Sequence, residues 1–381
     1  MPVLGNPSCS QDPSGDLTET ASVDLTCSSS DGRPPARLTW TSGSADATIP
    51  TPPTQTPGDD PSLVASLTVD RNYNNVQFTC TAQHPAVDTD RTCDLTLSVL
   101  YAPSKPTCSA PQNVILGQTT PTLTCVAPDG NPAPDTYTWK KGGTNLPSDP
   151  RYQTSGDSLT IDPLVKGDTG SYSCVASNSQ GGEECDAVML TVQYAAENAA
   201  ITCNPADTDQ HLESDLLECT CTAAGVPAVN SFTWTKDGSA LPTDVSTAEG
   251  GAKLVFSSLA KMHTGTYRCA ASNGIGAADT DDVSITVRYA PEATTVEASP
   301  SAIREERESI TLTCTADAEP AASYTWAKMG VSLPTGANVV GGSLQISQLN
   351  RADSGDYRCT VDNGIDPDGE DTIAVDVQCE Y

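Results

Sequence analysis

Short stretches of alternating apolar and polar residues recur along the chain. Val-Asp-Leu-Thr-Cys (23–27), Thr-Leu-Thr-Cys (122–125) and Ile-Thr-Leu-Thr-Cys (310–314) are three of them. Leu-Thr-Trp (38–40), Tyr-Thr-Trp (137–139), Phe-Thr-Trp (232–234) and Tyr-Thr-Trp (324–326) repeat the device, as do Ser-Leu-Thr-Ile (158–161) and Ser-Leu-Gln-Ile (343–346). A period of two turns one face to a core and the other to water, so each stretch predicts a half-buried strand. Clusters of Pro, Gly, Asp and Ser between them predict turns. No apolar run has the length of a membrane-crossing helix, roughly 18 residues or more.

The strands come in copies. Trp40, Trp139, Trp234 and Trp326 are each preceded by a cysteine (Cys27, Cys125, Cys221, Cys314) and followed by another (Cys80, Cys174, Cys269, Cys359). Such internal periodicity predicts four units built alike, with limits at 1–101, 102–194, 195–289 and 290–381. The fold class expected is all-β.

Composition narrows the function. There are 49 acidic and 19 basic residues, a net charge of −30. That excludes a general nucleic-acid or anionic-membrane binder, which needs a basic surface. The 28 glycines and 29 prolines suit many short strands and turns. Fifteen cysteines in such a chain point to disulfides and an oxidising compartment. Residues 1–30 have no basic start and no apolar stretch of the signal-peptide kind. An exported piece of a longer chain is therefore expected.

Catalysis finds little support. The three histidines, His84, His211 and His263, fall one to a repeat. No nucleophile elbow, His-Glu-x-x-His helix or phosphate-binding loop occurs. The cysteines lack zinc spacing. No enzyme, cofactor or metal site is expected.

Cys…Trp…Cys together with Asp-x-Gly-x-Tyr-x-Cys resembles the immunoglobulin superfamily over nearly the whole chain. The second motif stands as Asp168-Thr-Gly170-Ser-Tyr172-Ser-Cys174 and Asp353-Ser-Gly355-Asp-Tyr357-Arg-Cys359, and as His263-Thr-Gly265-Thr-Tyr267-Arg-Cys269 in the third repeat. The resemblance implies four tandem β-sandwiches in an extended rod. In each, a cystine bridges two sheets, the tryptophan packs on it, and the tyrosine hydroxyl bonds the backbone at a strand corner. The implied pairs are Cys27–Cys80, Cys125–Cys174, Cys221–Cys269 and Cys314–Cys359. The core set is Trp40, Trp139, Trp234, Trp326, Tyr172, Tyr267 and Tyr357. The first repeat departs from the motif, with Phe78 where the others have tyrosine. It resembles the second domain of nectin-like and nephrin-like adhesion molecules.

The joints Val-Leu-Tyr101-Ala-Pro103, Val-Gln-Tyr194-Ala-Ala196 and Val-Arg-Tyr289-Ala-Pro291 leave almost no linker. They are similar to those of nephrin-like proteins and sialic-acid-binding lectins. Short proline-containing joints restrict hinging, and at ~3.3 Å per strand residue the rod would measure on the order of 130–160 Å. The opening Val3-Leu4-Gly5-Asn6-Pro7 parallels the joint at 99–103, so a further domain before residue 1 is expected.

Seven cysteines remain. Cys9, Cys108 and Cys203 fall at first-strand starts, and Cys93 and Cys185 at last-strand starts. In the resembled fold these starts lie side by side, which implies Cys9–Cys93 and Cys108–Cys185. The third repeat has Cys219 instead of a last-strand cysteine, so Cys203–Cys219 is expected, with exchange among Cys219, Cys221 and Cys269 an open alternative. Cys379 is left over at the joint position. Three fates stay open for it: a partner beyond residue 381, an intermolecular disulfide, or an inert thiol.

Three weak signals complete the reading. Lys166-Gly167-Asp168 resembles an integrin-binding tripeptide, although Asp168 also opens the corner motif. Residues 362–371 crowd acids into one loop without the spacing of a known calcium loop. No Asn-x-Ser/Thr sequon occurs apart from the proline-blocked Asn6-Pro-Ser.

The function implied by the resemblance is extracellular recognition or adhesion, with another cell-surface or matrix protein as partner, homophilic binding included. The chain would be the ectodomain of a single-pass membrane protein, or else secreted. Two alternatives are a hemicentin-like matrix array and a siglec-type immune receptor lacking its variable-type domain.

Overall fold

The computed structural model describes residues 5–30, 32–50, 53–109, 112–118, 120–206 and 211–379. The chain divides into two compact units, Met1–Gln193 and Tyr194–Tyr381. The described residues form strands and single 3₁₀ turns. No helix among them is long and apolar enough to cross a membrane.

The first unit holds two hydrophobic cores, one around Cys27, Trp40, Phe78 and Cys80, the other around Cys125, Trp139, Tyr172 and Cys174. The first core lies between two antiparallel sheets. One contains Ser8–Asp12, Ser22–Ser28, Ser62–Thr68 and Thr54–Gln55; the other contains Arg37–Ser42, Gln77–Gln83 and Arg91–Thr96. The burial of Ser22–Ser28 shows why this sequence makes a sandwich strand. Val23, Leu25 and Cys27 are buried, while Ser22 and Asp24 face solvent. Leu17–Thr18 pairs in parallel with Val99–Leu100, closing the edge where the chain leaves the repeat.

The second unit repeats the plan around Cys221, Trp234, Tyr267 and Cys269 and around Cys314, Trp326, Tyr357 and Cys359. Here the exit strand of one repeat is also the entry strand of the next. Val287–Ser299 pairs in parallel with His211–Leu212 at its start and antiparallel with Ile310–Glu319 along its length. A joint of this kind has no free linker, because its backbone is spent on ladders at both ends.

Candidate functional site

The four central cystines are set by register. In each repeat the tryptophan sits directly opposite the second cysteine: Trp40 with Cys80, Trp139 with Cys174, Trp234 with Cys269, Trp326 with Cys359. The structure joins Cys27–Cys80, Cys125–Cys174, Cys221–Cys269 and Cys314–Cys359, with Cα–Cα distances of 6.3, 6.1, 6.4 and 6.3 Å. All four indoles are buried. Trp40, Trp234 and Trp326 donate Nε1–H to the carbonyls of Leu63, Gly251 and Gly342. Gly251 has φ +94°, and a Cβ there would lie 2.6 Å from the Phe232 oxygen, so glycine is needed for the indole to reach its acceptor.

The remaining bridges are Cys9–Cys93, Cys108–Cys185 and Cys203–Cys219. Cys9 is the direct strand neighbour of Cys27, and Cys93 of Cys80, so two cystines lie side by side at one end of the first sandwich. The sulfurs of Cys9, Cys27 and Cys93 are close enough to resemble a metal cluster, but all belong to disulfides. Cys203 and Cys219 face each other across adjacent strands, with Cα atoms 4.0 Å apart. Cys379 is exposed and unpaired.

The tyrosine corners show what the motif residues do. Tyr172, Tyr267 and Tyr357 are fully buried and donate to the carbonyls of Asp168, His263 and Asp353 at 2.9, 3.0 and 2.8 Å. Burial raises all three phenols, that of Tyr357 to about 12. Asp168, 1 % exposed, accepts from Arg151 (2.7 Å), the Tyr152 hydroxyl (2.8 Å) and the Val165 N–H (2.9 Å). Burial alone would raise its carboxyl; these three donors outweigh burial and hold it below the usual range. The carboxylate of Lys166-Gly167-Asp168 is thus spent inside the protein, and an integrin-type reading of the tripeptide has no free acid to use.

In the third repeat the polarity of this corner is reversed. His263 accepts the Ala260 N–H at Nδ1 (3.0 Å) and turns Nε2 to Asp244 (3.0 Å). Its ring stands edge-on to Phe256 at 5.4 Å. The first repeat solves the corner differently. Tyr73 takes the place of the acid and donates to the Thr48 carbonyl at 2.8 Å, stacked on Phe78. One extra residue, Asn75 with φ 58°, is accommodated before Phe78.

Residues that the sequence reading passed over build the joints. Asn178, Asn273 and Asn363 each donate twice through Nδ2, to the carbonyl of a joint tyrosine and to a proline carbonyl. The pairs are Tyr101 and Pro132, Tyr194 and Pro227, Tyr289 and Pro320, at 2.7–3.1 Å. The Arg71 guanidinium lies 5.1 Å from the Tyr101 ring centre, bonded to Glu19 (3.0 Å), Asp129 (3.2 Å) and the Ser104 hydroxyl. Lys261 lies 4.2 Å from the Tyr289 ring centre, bonded to Glu292 and, at 3.0 Å, to Asp317. Asp317 also accepts the Tyr289 hydroxyl at 2.7 Å. The Glu19 hydrogen bond leads the upward shift of Arg71, and the Glu292 hydrogen bond that of Lys261. Burial pushes Asp129 up, but Ser104 and Arg71 hold it below the usual carboxylate range; the Tyr289 and Lys261 hydrogen bonds do the same for Asp317.

The acidic loop at 362–371 is likewise spent on the fold. Asp362 accepts the Gly364 N–H, Asp371 accepts the N–H groups of Val296 and Thr372, and Glu370 pairs with Arg358. These three carboxylates hold different partners, and among the described residues no acidic cluster of this loop is arranged to hold a metal ion. Val3 and Leu4, which suggest a preceding domain, lie outside the described residues, as does Asp31.

Comparison with known proteins places these geometries. The profile of the immunoglobulin domain matches residues 105–178, 200–273 and 291–363, and that of the CD80-like C2-set immunoglobulin domain matches residues 9–91. Mouse hemicentin-2 is 29% identical over 377 residues, 95% of this chain and 7% of that protein. The human peroxidasin homolog is 30% identical over 361 residues, 92% of this chain and 23% of that protein. Mouse B-cell receptor CD22 is 32% identical over 170 residues, 45% of this chain and 18% of that protein. The full ectodomain of mouse nectin-like molecule 4 superposes with a TM-score of 0.51 at 22% identity, over 71% of this chain and 98% of that one. The chain thus spans a small part of the curated relatives it matches.

Proposed function

We propose, from the premise that this chain belongs to the immunoglobulin superfamily, that it is part of an extracellular recognition or adhesion protein. Its partner is another cell-surface or matrix protein. The single observation that carries the reading is the series of cystine-stapled sandwiches, with the joint inside each unit braced by side chains. Such a series presents sheet faces and end loops for binding, and Asp168, His263, Asp129 and Asp317 are engaged in its corners and joints. A binding module, not an enzyme, is the reading. The likeness to the peroxidasin homolog covers 23% of that protein, and nothing of its activity is carried over to this chain. We place the limits of the four domains at residues 101, 194 and 289.

A second reading, a structural matrix array, is favoured by the match to hemicentin-2 along 95% of the chain. The immune-receptor reading, for which the likeness is to B-cell receptor CD22, has support over less than half of it. The partner class is tested by coating beads with the chain and presenting them to one another, to cells and to isolated matrix. Bead–bead clustering identifies homophilic adhesion, cell capture a receptor partner, and matrix-only retention the structural array. Beads inert in all three settings overturn the recognition reading. Cys379 makes a covalent dimer a further element of the proposal. A doubled mass on non-reducing electrophoresis that disappears in Cys379→Ser supports it, and a single monomeric band refutes it.

A further inference from the structure

Two joints, one inside each unit, share a device that a sandwich does not require. At each, a cation from the foot of one repeat lies on the face of the joint tyrosine and is held by carboxylates. Arg71 is held by Glu19 of its own repeat and Asp129 of the next. Lys261 is held by Glu292 and Asp317, both of the next repeat, while its backbone N–H is taken by Glu213 of its own.

We propose that this cation–tyrosine–carboxylate arrangement is a clamp that sets the stiffness of the joints between repeats 1 and 2 and between repeats 3 and 4. It makes that stiffness independent of calcium.

Three features lead there. First, the clamp spans the joint. Tilting repeat 2 on repeat 1 must break the Arg71–Asp129 pair or lift the guanidinium off Tyr101, and such ring contacts hold only within about 6 Å. Second, the backbone below the clamp is pinned independently. Asn178 and Asn363 hold the joint tyrosine carbonyls, and Asn131 bonds the Val99 carbonyl and the Asn74 side chain across the first joint. A fixed backbone with a bonded side-chain brace leaves few soft torsions at which to bend. Third, in a chain of net charge −30 each of these cations stands between two carboxylates. Carboxylates brought together at a joint repel unless a cation sits between them, and here that cation is a side chain rather than a metal ion. The groups facing Arg71 are Glu19, Asp129, Ser104 and Tyr101; those facing Lys261 are Glu292, Asp317 and Tyr289, with Glu213 at its backbone.

The test is pulsed electron–electron spin spectroscopy on the full chain, with nitroxide amino acids inserted at exposed positions. Thr41 and Gln153 report on the first joint, Thr233 and Ala374 on the second. In the unsubstituted protein each distance distribution is narrow and unchanged between millimolar calcium and chelator. Arg71→Gln broadens the first distribution at least twofold and leaves the second alone; Lys261→Gln does the reverse. Arg71→Lys and Lys261→Arg keep most of the narrowness. Asp129→Asn broadens the first joint from the other side while leaving the core of repeat 1 untouched, so the effect is separable from local unfolding of that repeat. Widths unchanged in Arg71→Gln and Asp129→Asn overturn the proposal, as does a native width that follows calcium.

Discussion

The second and third repeats fold the same corner with different side chains and exchanged donor and acceptor roles toward the partner. In the second, a buried acid, Asp168, is met by the cation Arg151; in the third, a buried imidazole, His263, is met by the acid Asp244. Both leave the tyrosine its carbonyl acceptor, and both take a backbone N–H three residues upstream. The corner therefore demands an acceptor for that N–H and a partner of complementary character, not a particular acid. The two repeats differ again in their extra cystine, which closes 77 residues in the second and only 16 in the third.

The largest expected effects test that second contrast. On the chain-entropy account, removing Cys108–Cys185 with paired serines costs about 3.5 kcal/mol, because the intact Cys125–Cys174 already shortens its loop, and removing Cys203–Cys219 costs about 3 kcal/mol. Urea unfolding followed by hydrogen exchange, repeat by repeat, reads the difference. Losses that differ by about 2 kcal/mol or more would show that native-state contacts, not loop length, govern them.

Next comes Asp168→Ala. It strands Arg151, the Tyr152 hydroxyl and the Val165 N–H together, and costs about 3 kcal/mol, as breaking buried pairs does. The same corner gives a pH dependence. Asp168 lies below its unfolded value, so its contribution is present above about pH 3.9 and is lost as pH falls through the lower folded value. An acid melt of the second repeat that is steeper than that of Asp168→Asn is the expected result.

Smallest is His263→Asp. The new carboxylate can still accept the Ala260 N–H, but it faces Asp244, which is half exposed. A loss of about 1 kcal/mol follows, and Asp244→Asn in the same chain restores most of it. Additive behaviour of the two substitutions in thermal melts would mean that the pair is not coupled.

Much of this molecule was legible in its sequence. Cysteines and tryptophans on alternating strands announce a sandwich because their chemistry leaves few other uses for that spacing. The family motif also led to the tyrosines of the corners. The braces at the joints were not legible. Arg71 and Lys261 look like ordinary surface charges until the fold brings Tyr101 and Tyr289 beneath them. A signal was nonetheless present. Lys166 and Lys261 each stand 28 residues before a joint tyrosine, and Arg71 stands 30 before its own. Of the two additional places in the first repeat, one is the extra residue Asn75 before Cys80, and the other lies between Cys80 and Tyr101. Tyr73 was hidden for the same reason, since the insertion shifts it off the motif. Asp244 could not be linked to His263 because two strands, Ser246–Ala248 and Lys253–Phe256, lie between them in the chain.

The cystine from Cys9 to Cys93 has a mechanical consequence. Tension applied to the two ends of the first repeat enters near the first strand and leaves near the last, and that bond joins the two directly. The stretch between them, a sequence separation of 84, then carries no load. At about 3.4 Å per residue, roughly 285 Å of contour stays locked however hard the ends are pulled. The fourth repeat, bridged only by Cys314–Cys359, can pay out the strands that flank its bridge. In a single-molecule stretching trace the first repeat should yield almost no extension before covalent failure. A release approaching its full contour would show that the bond does not bypass it. A chain built this way lengthens under load only where its staples leave slack.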